Sequence, residues 1–205
     1  MTGILRLAGR GAFARAVVDD LRAALDELGR DRLLEGADPE PGARAVLVLA
    51  DHGDPLLDEV PERWHAAGKP SLVVAHVHPD VRIGPLDVPG TSLCRMCFAT
   101  RQRQHDLTHA PQPCWPGAEL AIGVDGFPPY LTSLVAGLVV DRLAVLDDLD
   151  GTAGGEVTVV NTESMACRTH PVVAVNRCAR CGDQKPVGLK TAGQPMFPDL
   201  ARVPR

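Results

Sequence analysis

Arg44-Ala45-Val46-Leu47-Val48-Leu49-Ala50 is an unbroken apolar run behind one arginine, and Asp51-His52-Gly53-Asp54-Pro55 stops it abruptly. A strand with one solvated face alternates polar and apolar residues. A run without a polar position marks a strand buried on both faces of a parallel sheet. Such a sheet needs helices on each side, so residues 44–50 predict an α/β fold whose other layers come from the flanking chain.

On the N-terminal side, residues 4–8 read as a short apolar strand, followed by Gly9-Arg10-Gly11-Ala12-Phe13-Ala14. Over residues 12–28, Phe13, Ala16, Val17, Leu21, Ala24, Leu25 and Leu28 recur at helical spacing with charges opposite them, which predicts an amphipathic helix. A Gly-x-Gly turn between strand and helix can cradle a phosphate on the helix N-terminus. Tight strand-to-helix packing is the simpler reading, because no acidic ribose ligand is clearly placed about 20 residues on, despite Asp31. Residues 29–42 are polar and rich in Gly, Asp and Pro, and predict a loop or a frayed helix end.

On the C-terminal side, residues 56–67 predict a helix ending at Gly68 with Pro70 beyond. Residues 71–77 read as the third strand, leading through a polar turn to residues 81–84. His76 and His78 alternate and so share a face. With no carboxylate or further histidine at a supporting spacing, edge polarity or core hydrogen bonding explains them better than a metal does. His52 beside Asp51 reads as the polar end of a strand.

Gly84-Pro85-Leu86-Asp87-Val88-Pro89-Gly90-Thr91-Ser92-Leu93-Cys94-Arg95-Met96-Cys97 then carries a C-x2-C knuckle, and Cys178-Ala179-Arg180-Cys181 is a second. Cys94, Cys97, Cys178 and Cys181 make four thiolates, the ligand set of a tetrahedral structural zinc ion. One C-x2-C pair fits a redox dithiol equally well. Two pairs favour the metal, with redox dithiols and inert buried thiols as the other readings. Roughly eighty residues separate the knuckles, far beyond ribbon spacing, so the ion would tie distant segments together.

After Cys97 a short helix with an exposed basic side, including Arg101 and Arg103, is expected. Residues 108–117 hold Pro111, Pro113, Pro116 and Cys114 and read as loop, with Cys114 an ordinary thiol. Residues 120–149 form a helical stretch broken near Gly126-Phe127-Pro128-Pro129, and residues 130–146, apolar on most sides, predict a helix packed on the sheet. Residues 151–155 predict a turn and 156–161 a strand. Cys167 and His170 could compete for the metal, but the paired cysteines win on geometry. The tail from 185, with prolines at 186, 195, 198 and 204, has little periodicity.

The 205 residues are 45% hydrophobic and 23% charged, but only 3% aromatic, so Ala, Val and Leu must build the core. One domain, 1–205, is expected: a Rossmann-like half (1–83), a zinc-knuckle and helical half (84–185) and a Pro-rich tail (186–205). A net charge of −5 and a pI near 5.8 argue against nucleic-acid or anionic-membrane binding. The N-terminus lacks a charged region followed by an apolar run and cleavage site, and the apolar stretch at 131–140 falls short of the roughly 20 residues a span needs. The expectation is cytoplasmic, where six cysteines point to metal or catalysis before disulfides.

Taken together these elements resemble the ThiF-like proteins of azol(in)e-containing peptide biosynthesis, the cyclodehydratase C (ocin-ThiF-like) partners of YcaO enzymes. In that family a Gly-Pro-x-x-x-Pro-Gly segment leads into the first C-x2-C, an arginine follows, and a His-Pro segment precedes C-x2-C-G. Here those are Gly84, Pro85, Pro89, Gly90, Cys94, Cys97, Arg101, His170, Pro171, Cys178, Cys181 and Gly182, and the likeness runs from about residue 44 onward.

The resemblance implies a degenerate Rossmann-like adenylating-enzyme fold, a structural zinc, a homodimer, and a non-catalytic role presenting a ribosomal precursor peptide to a YcaO partner. It also marks two departures. The family's N-terminal peptide-clamp domain has no counterpart before the first strand. Only the link 29–42 stands where adenylating members carry a second strand with a nucleotide-binding Asp. The alternative functions are ATP-dependent adenylation of a peptide or carrier C-terminus through Gly9, Gly11 and Asp51, and thiol redox chemistry at Cys94-Cys97 or Cys178-Cys181.

Overall fold

The computed structural model describes residues 3–91, 93–105, 126–147 and 155–181. The expectations for residues 108–117, Cys114, the start of the helical stretch at 120, the turn at 151–154, Gly182 and the C-terminal tail lie outside them. Seven strands form one sheet: β1 (Ile4–Gly9), β2 (Arg32–Glu35), β3 (Ala43–Asp51), β4 (Ser71–Val77), β5 (Asp80–Asp87), β6 (Glu156–Asn161) and β7 (Cys167–Pro171). They lie in the order β2-β1-β3-β4-β5-β6-β7. The first four are parallel, and β5, β6 and β7 each run antiparallel to their neighbours.

The apolar run is the centre of this sheet. Along β3, Ala45, Leu47 and Leu49 enter the core beneath α1 (Ala12–Glu27) and α4 (Pro129–Ala144), and Val46, Val48 and Ala50 meet α2 (Leu56–Ala66) on the other face. Each of these six residues is at most 2% exposed. Period-two alternation thus feeds two cores at once, which is why no polar residue is tolerated. On the α2 face Trp64 is fully buried and its indole N–H donates to the Ala37 carbonyl at 2.9 Å.

The chain between α1 and β3 departs from expectation. Residues 32–35 form β2, a four-residue edge strand parallel to β1, so a second strand stands where the sequence suggested a link without one. Residues 80–87, expected as turn and approach to the knuckle, form β5. At Gly84 (φ +101°) a Cβ would stand 2.7 Å from the Glu156 carbonyl oxygen of β6, so only glycine lets these strands pair. The helix after the first knuckle, α3 (Arg95–His105), begins before Cys97 rather than after it.

α4 continues through a 3-10 turn, Val145–Asp147, and this helical unit of 19 residues is long and apolar enough to cross a membrane by length and composition, which corrects the shorter reading. Its place is that of a core helix, with Leu131, Val135, Val139 and Leu143 buried in the cluster that holds Val17, Leu21 and Leu25 of α1. The hydroxyls of Thr132 and Ser133 donate to the Asp20 carboxylate at 2.6 and 2.9 Å. They hold that carboxyl below its usual value.

Leu21 is fully buried between α1, α4 and the sheet, whereas Leu28 is 56% exposed. Leu21→Ala is expected to cost about 2–5 kcal/mol in urea unfolding, and Leu28→Ala less than about 0.5 kcal/mol. The lowered Asp20 value adds an acid-sensitive increment, complete above the unfolded value of about 4 and lost as pH falls through the folded one. Asp20→Asn should flatten the acid limb of a stability-against-pH curve relative to the parent.

Candidate metal centre

The first knuckle leaves β5 through a turn closed by Thr91, whose hydroxyl donates to the Val88 carbonyl at 2.7 Å. Cys94 precedes α3, Cys97 rides in its first turn, and the Cys97 amide donates to the Cys94 carbonyl at 3.0 Å. The second knuckle follows β7, and the Cys178 amide donates to the Val175 carbonyl at 3.2 Å. Arg101 of α3 joins the two segments by donating to the carbonyls of Val173 at 3.2 Å and Ala174 at 3.0 Å.

This geometry brings four sulfurs together. Cys94 lies 3.8 Å from Cys97 and 3.6 Å from Cys178, and Cys97 lies 3.5 Å from Cys181. All four sulfurs fall within 4.8 Å of one another, and every one of these residues is buried. A tetrahedron of sulfurs at about 2.3 Å from its centre has edges of about 3.8 Å. The donor set therefore fits one metal ion. The Val175 amide donates to the Cys97 sulfur at 3.3 Å.

Without an ion, Cys94, Cys178 and Cys181 are shifted in different directions. Burial pushes the Cys94 thiol far above its ordinary value and the Cys181 thiol up to about 12. Burial acts on Cys178 as well, but the amides of Cys181 and Arg180 and the thiols of Cys97 and Cys94 outweigh it and bring Cys178 down to about 7. A metal must displace the remaining protons.

The other residues weighed from sequence fall elsewhere. Cys167 is an exposed free thiol on the edge strand β7, and His170 is exposed on the same strand. Neither belongs to the sulfur cluster. His76 stacks on Phe13 with ring centroids 4.6 Å apart, and its Nδ1 lies 3.0 Å from Asp51 Oδ1 in an exposed pair at the strand end rather than in the core. His52 is exposed in the turn after β3.

Of Gly9, Gly11 and Asp51, only the last two approach each other closely. Asp51 Oδ2 lies 3.0 Å from where a Cβ on Gly11 (φ +97°) would stand. A cavity of about 660 Å³ beside them is lined by Gly9, Gly11, Arg15 and Glu35. Glu35, at the end of β2, is an acidic residue on this lining that the sequence reading did not weigh, and it pairs with Arg22 at 3.4 Å. Asp31 is instead committed to the Gly3 amide at 2.6 Å and to Arg44 at 2.9 Å. On the α2 face, clefts of about 610 and 640 Å³ flank α3 and share Arg82, Phe98 and Gln102.

No family model matches the sequence, and no curated protein matches it. Solved structures do. A heterocyclase in complex with substrate and cofactor aligns at a TM-score of 0.64 and 21% identity over 89% of this chain and 26% of that one. The heterocyclase TruD aligns at 0.55 and 24% identity over 89% of this chain and 28% of its own. The chain shares the fold of one part of each heterocyclase. E. coli MccB with ATP shares it, at a TM-score of 0.58 and 15% identity, over 88% of this chain and 66% of MccB. The chain thus spans about a quarter of each heterocyclase and about two thirds of MccB.

Because bound sulfurs must be thiolates while Cys94 and Cys181 hold their protons well above neutrality, metal affinity should rise with pH. It should fall as the medium is acidified, more steeply below about 7, where Cys178 also takes its proton. Competition with a chelating indicator at a series of pH values measures this. A flat profile would mean that the thiols are not the ligands.

Proposed function

We propose that this chain is a non-catalytic, zinc-containing partner in ribosomal peptide natural-product biosynthesis. It docks a precursor peptide, a YcaO-type cyclodehydratase, or both, and works in the cytoplasm as a homodimer. Cys94, Cys97, Cys178 and Cys181 hold the zinc. The observation that carries the reading is the buried four-sulfur cluster on a fold shared with the heterocyclases. Zinc is the ion of choice because four thiolates in a tetrahedron suit a metal without redox or ligand-field demands, and a closed set of four is structural rather than catalytic.

Its contribution is to stability and shape. Structural zinc in finger peptides supplies about 10–16 kcal/mol, comparable to or above the roughly 5–15 kcal/mol net stability of ordinary domains. This fold makes up 26% and 28% of the two heterocyclase chains, which supports a part that serves ring formation without performing it. The two clefts beside α3 adjoin the metal centre and offer an extended peptide a mixed floor of Arg82, Phe98 and Gln102. Loss of the ion would disturb that surface.

A second reading is adenylation of a peptide or carrier C-terminus. It is favoured by β2 and Glu35 beside the Gly9–Gly11 turn, the arrangement in which a dinucleotide-type fold holds a ribose and phosphates. α1 also has no side-chain cap on its N-terminus, which leaves its amides available to an anion. In that case ATP would be the co-substrate and the chain an enzyme.

The test pairs the purified chain with a YcaO-type enzyme and its precursor peptide and follows loss of water from the peptide by mass spectrometry. Adding the chain should raise ring formation. Cys178→Ala should lose zinc, partner binding and stimulation together. Ring formation indifferent to the chain would sink the scaffold reading, and pyrophosphate exchange by the chain with ATP and peptide would establish the second.

A further inference from the structure

Asp87 is the last residue of β5, 1% exposed, and three elements converge on its carboxylate. Its Oδ1 lies 3.1 Å from His65 Nδ1 of α2. Its Oδ2 accepts the main-chain N–H of Arg95, the residue after Cys94, at 3.3 Å, and the guanidinium of Arg180, the residue before Cys181, at 3.2 Å. One oxygen therefore touches both knuckles.

α2 repeats the pattern from outside. Asp58 accepts from Arg95 at 2.8 Å and Glu62 pairs with Arg180. His65 follows one helical turn further on. Asp58, Glu62 and His65, spaced by four and three, lie along one side of α2 and face the two knuckle arginines and Asp87. A carboxylate this deep would be costly unless paired and hydrogen-bonded. The sulfur cluster is thus backed by an ionic cluster that belongs to the sheet and to α2.

From this we infer that Asp87 is the positioning residue of the metal centre: it holds the Cys94-Cys97 and Cys178-Cys181 knuckles against the sheet through the Arg95 amide and the Arg180 guanidinium, so that four sulfurs stand ready for an ion. The inference rests on the metal reading of the four cysteines. Groups that orient metal ligands from behind contribute about 10–100-fold to affinity. Asp87→Asn keeps the shape and every sulfur but weakens the bond to Arg180.

Cobalt(II) titration of the metal-free chain tests it, since sulfur-to-cobalt absorption reports thiolate ligation and the d–d bands report tetrahedral geometry. Asp87→Asn and Arg180→Gln should each bind cobalt about 10–100-fold more weakly and release it faster to a chelator. The double variant should lose little more than either single one, because they break one contact. Leu21→Ala, destabilised from the far side of the sheet, should keep wild-type cobalt affinity, which separates positioning from general loss of stability. Glu62→Gln, at an exposed partner of Arg180, gives a smaller loss in the same direction and serves if Asp87→Asn does not fold. Folded variants with wild-type affinity and release would overturn the role of Asp87. A wild-type chain with no sulfur-to-cobalt band would overturn the metal reading itself, and this inference with it.

Discussion

Four sulfur atoms, two from the middle of the chain and two from positions 84 residues further on, bring the ends of β5 and β7 together. An ion held by all four would cross-link a loop of that length and restrict the unfolded chain by about 4–5 kcal/mol in the entropic treatment. Of the antiparallel strands, β6 and β7 lie inside this loop and β5 ends just before it. β5 leads directly into the first knuckle and β7 into the second, and β6 pairs with both. The position of the knuckles and the register of three strands are therefore one problem with one solution.

The parallel half is organised differently. There the constraint is apolar burial on both faces of β3, with α1 and α4 on one side and α2 on the other. α2 connects the halves: its buried face, Leu57, Val60 and Trp64, packs on the parallel strands, and its polar side meets Asp87, Arg95 and Arg180. A helix that is core on one side and ionic on the other carries the rigidity of the sheet to the two cysteine knuckles. Arg44 does similar work at the opposite end, joining Asp31 at 2.9 Å and Asp147 at 2.7 Å.

What the sequence discloses follows from which interactions are local. β3, β4 and β6 are runs of Val, Leu and Ala with few breakers, and their spans agree with the reading to within a residue or so. β2 escaped because Arg32-Leu33-Leu34-Glu35 is short, charged at both ends and flanked by glycines; its two leucines are only half-buried on an edge. β5 escaped because Gly84 and Pro85 look like punctuation, whereas Gly84 is there to admit the β6 backbone. The cysteine spacing pointed to the sulfur cluster because two residues between thiols is a local rule. Asp87 and Glu35 were invisible for the converse reason: each acquires its meaning only from partners brought in by the sheet order.

All five residues of β7 are exposed, and the strand closes one side of the sheet. A bare strand ordinarily invites a neighbouring polypeptide to continue the ladder. Pro171 has no amide hydrogen to offer, and Arg168 sets a charge in the path of any strand laid alongside. Growth of the sheet by accretion is thereby discouraged at the seventh strand.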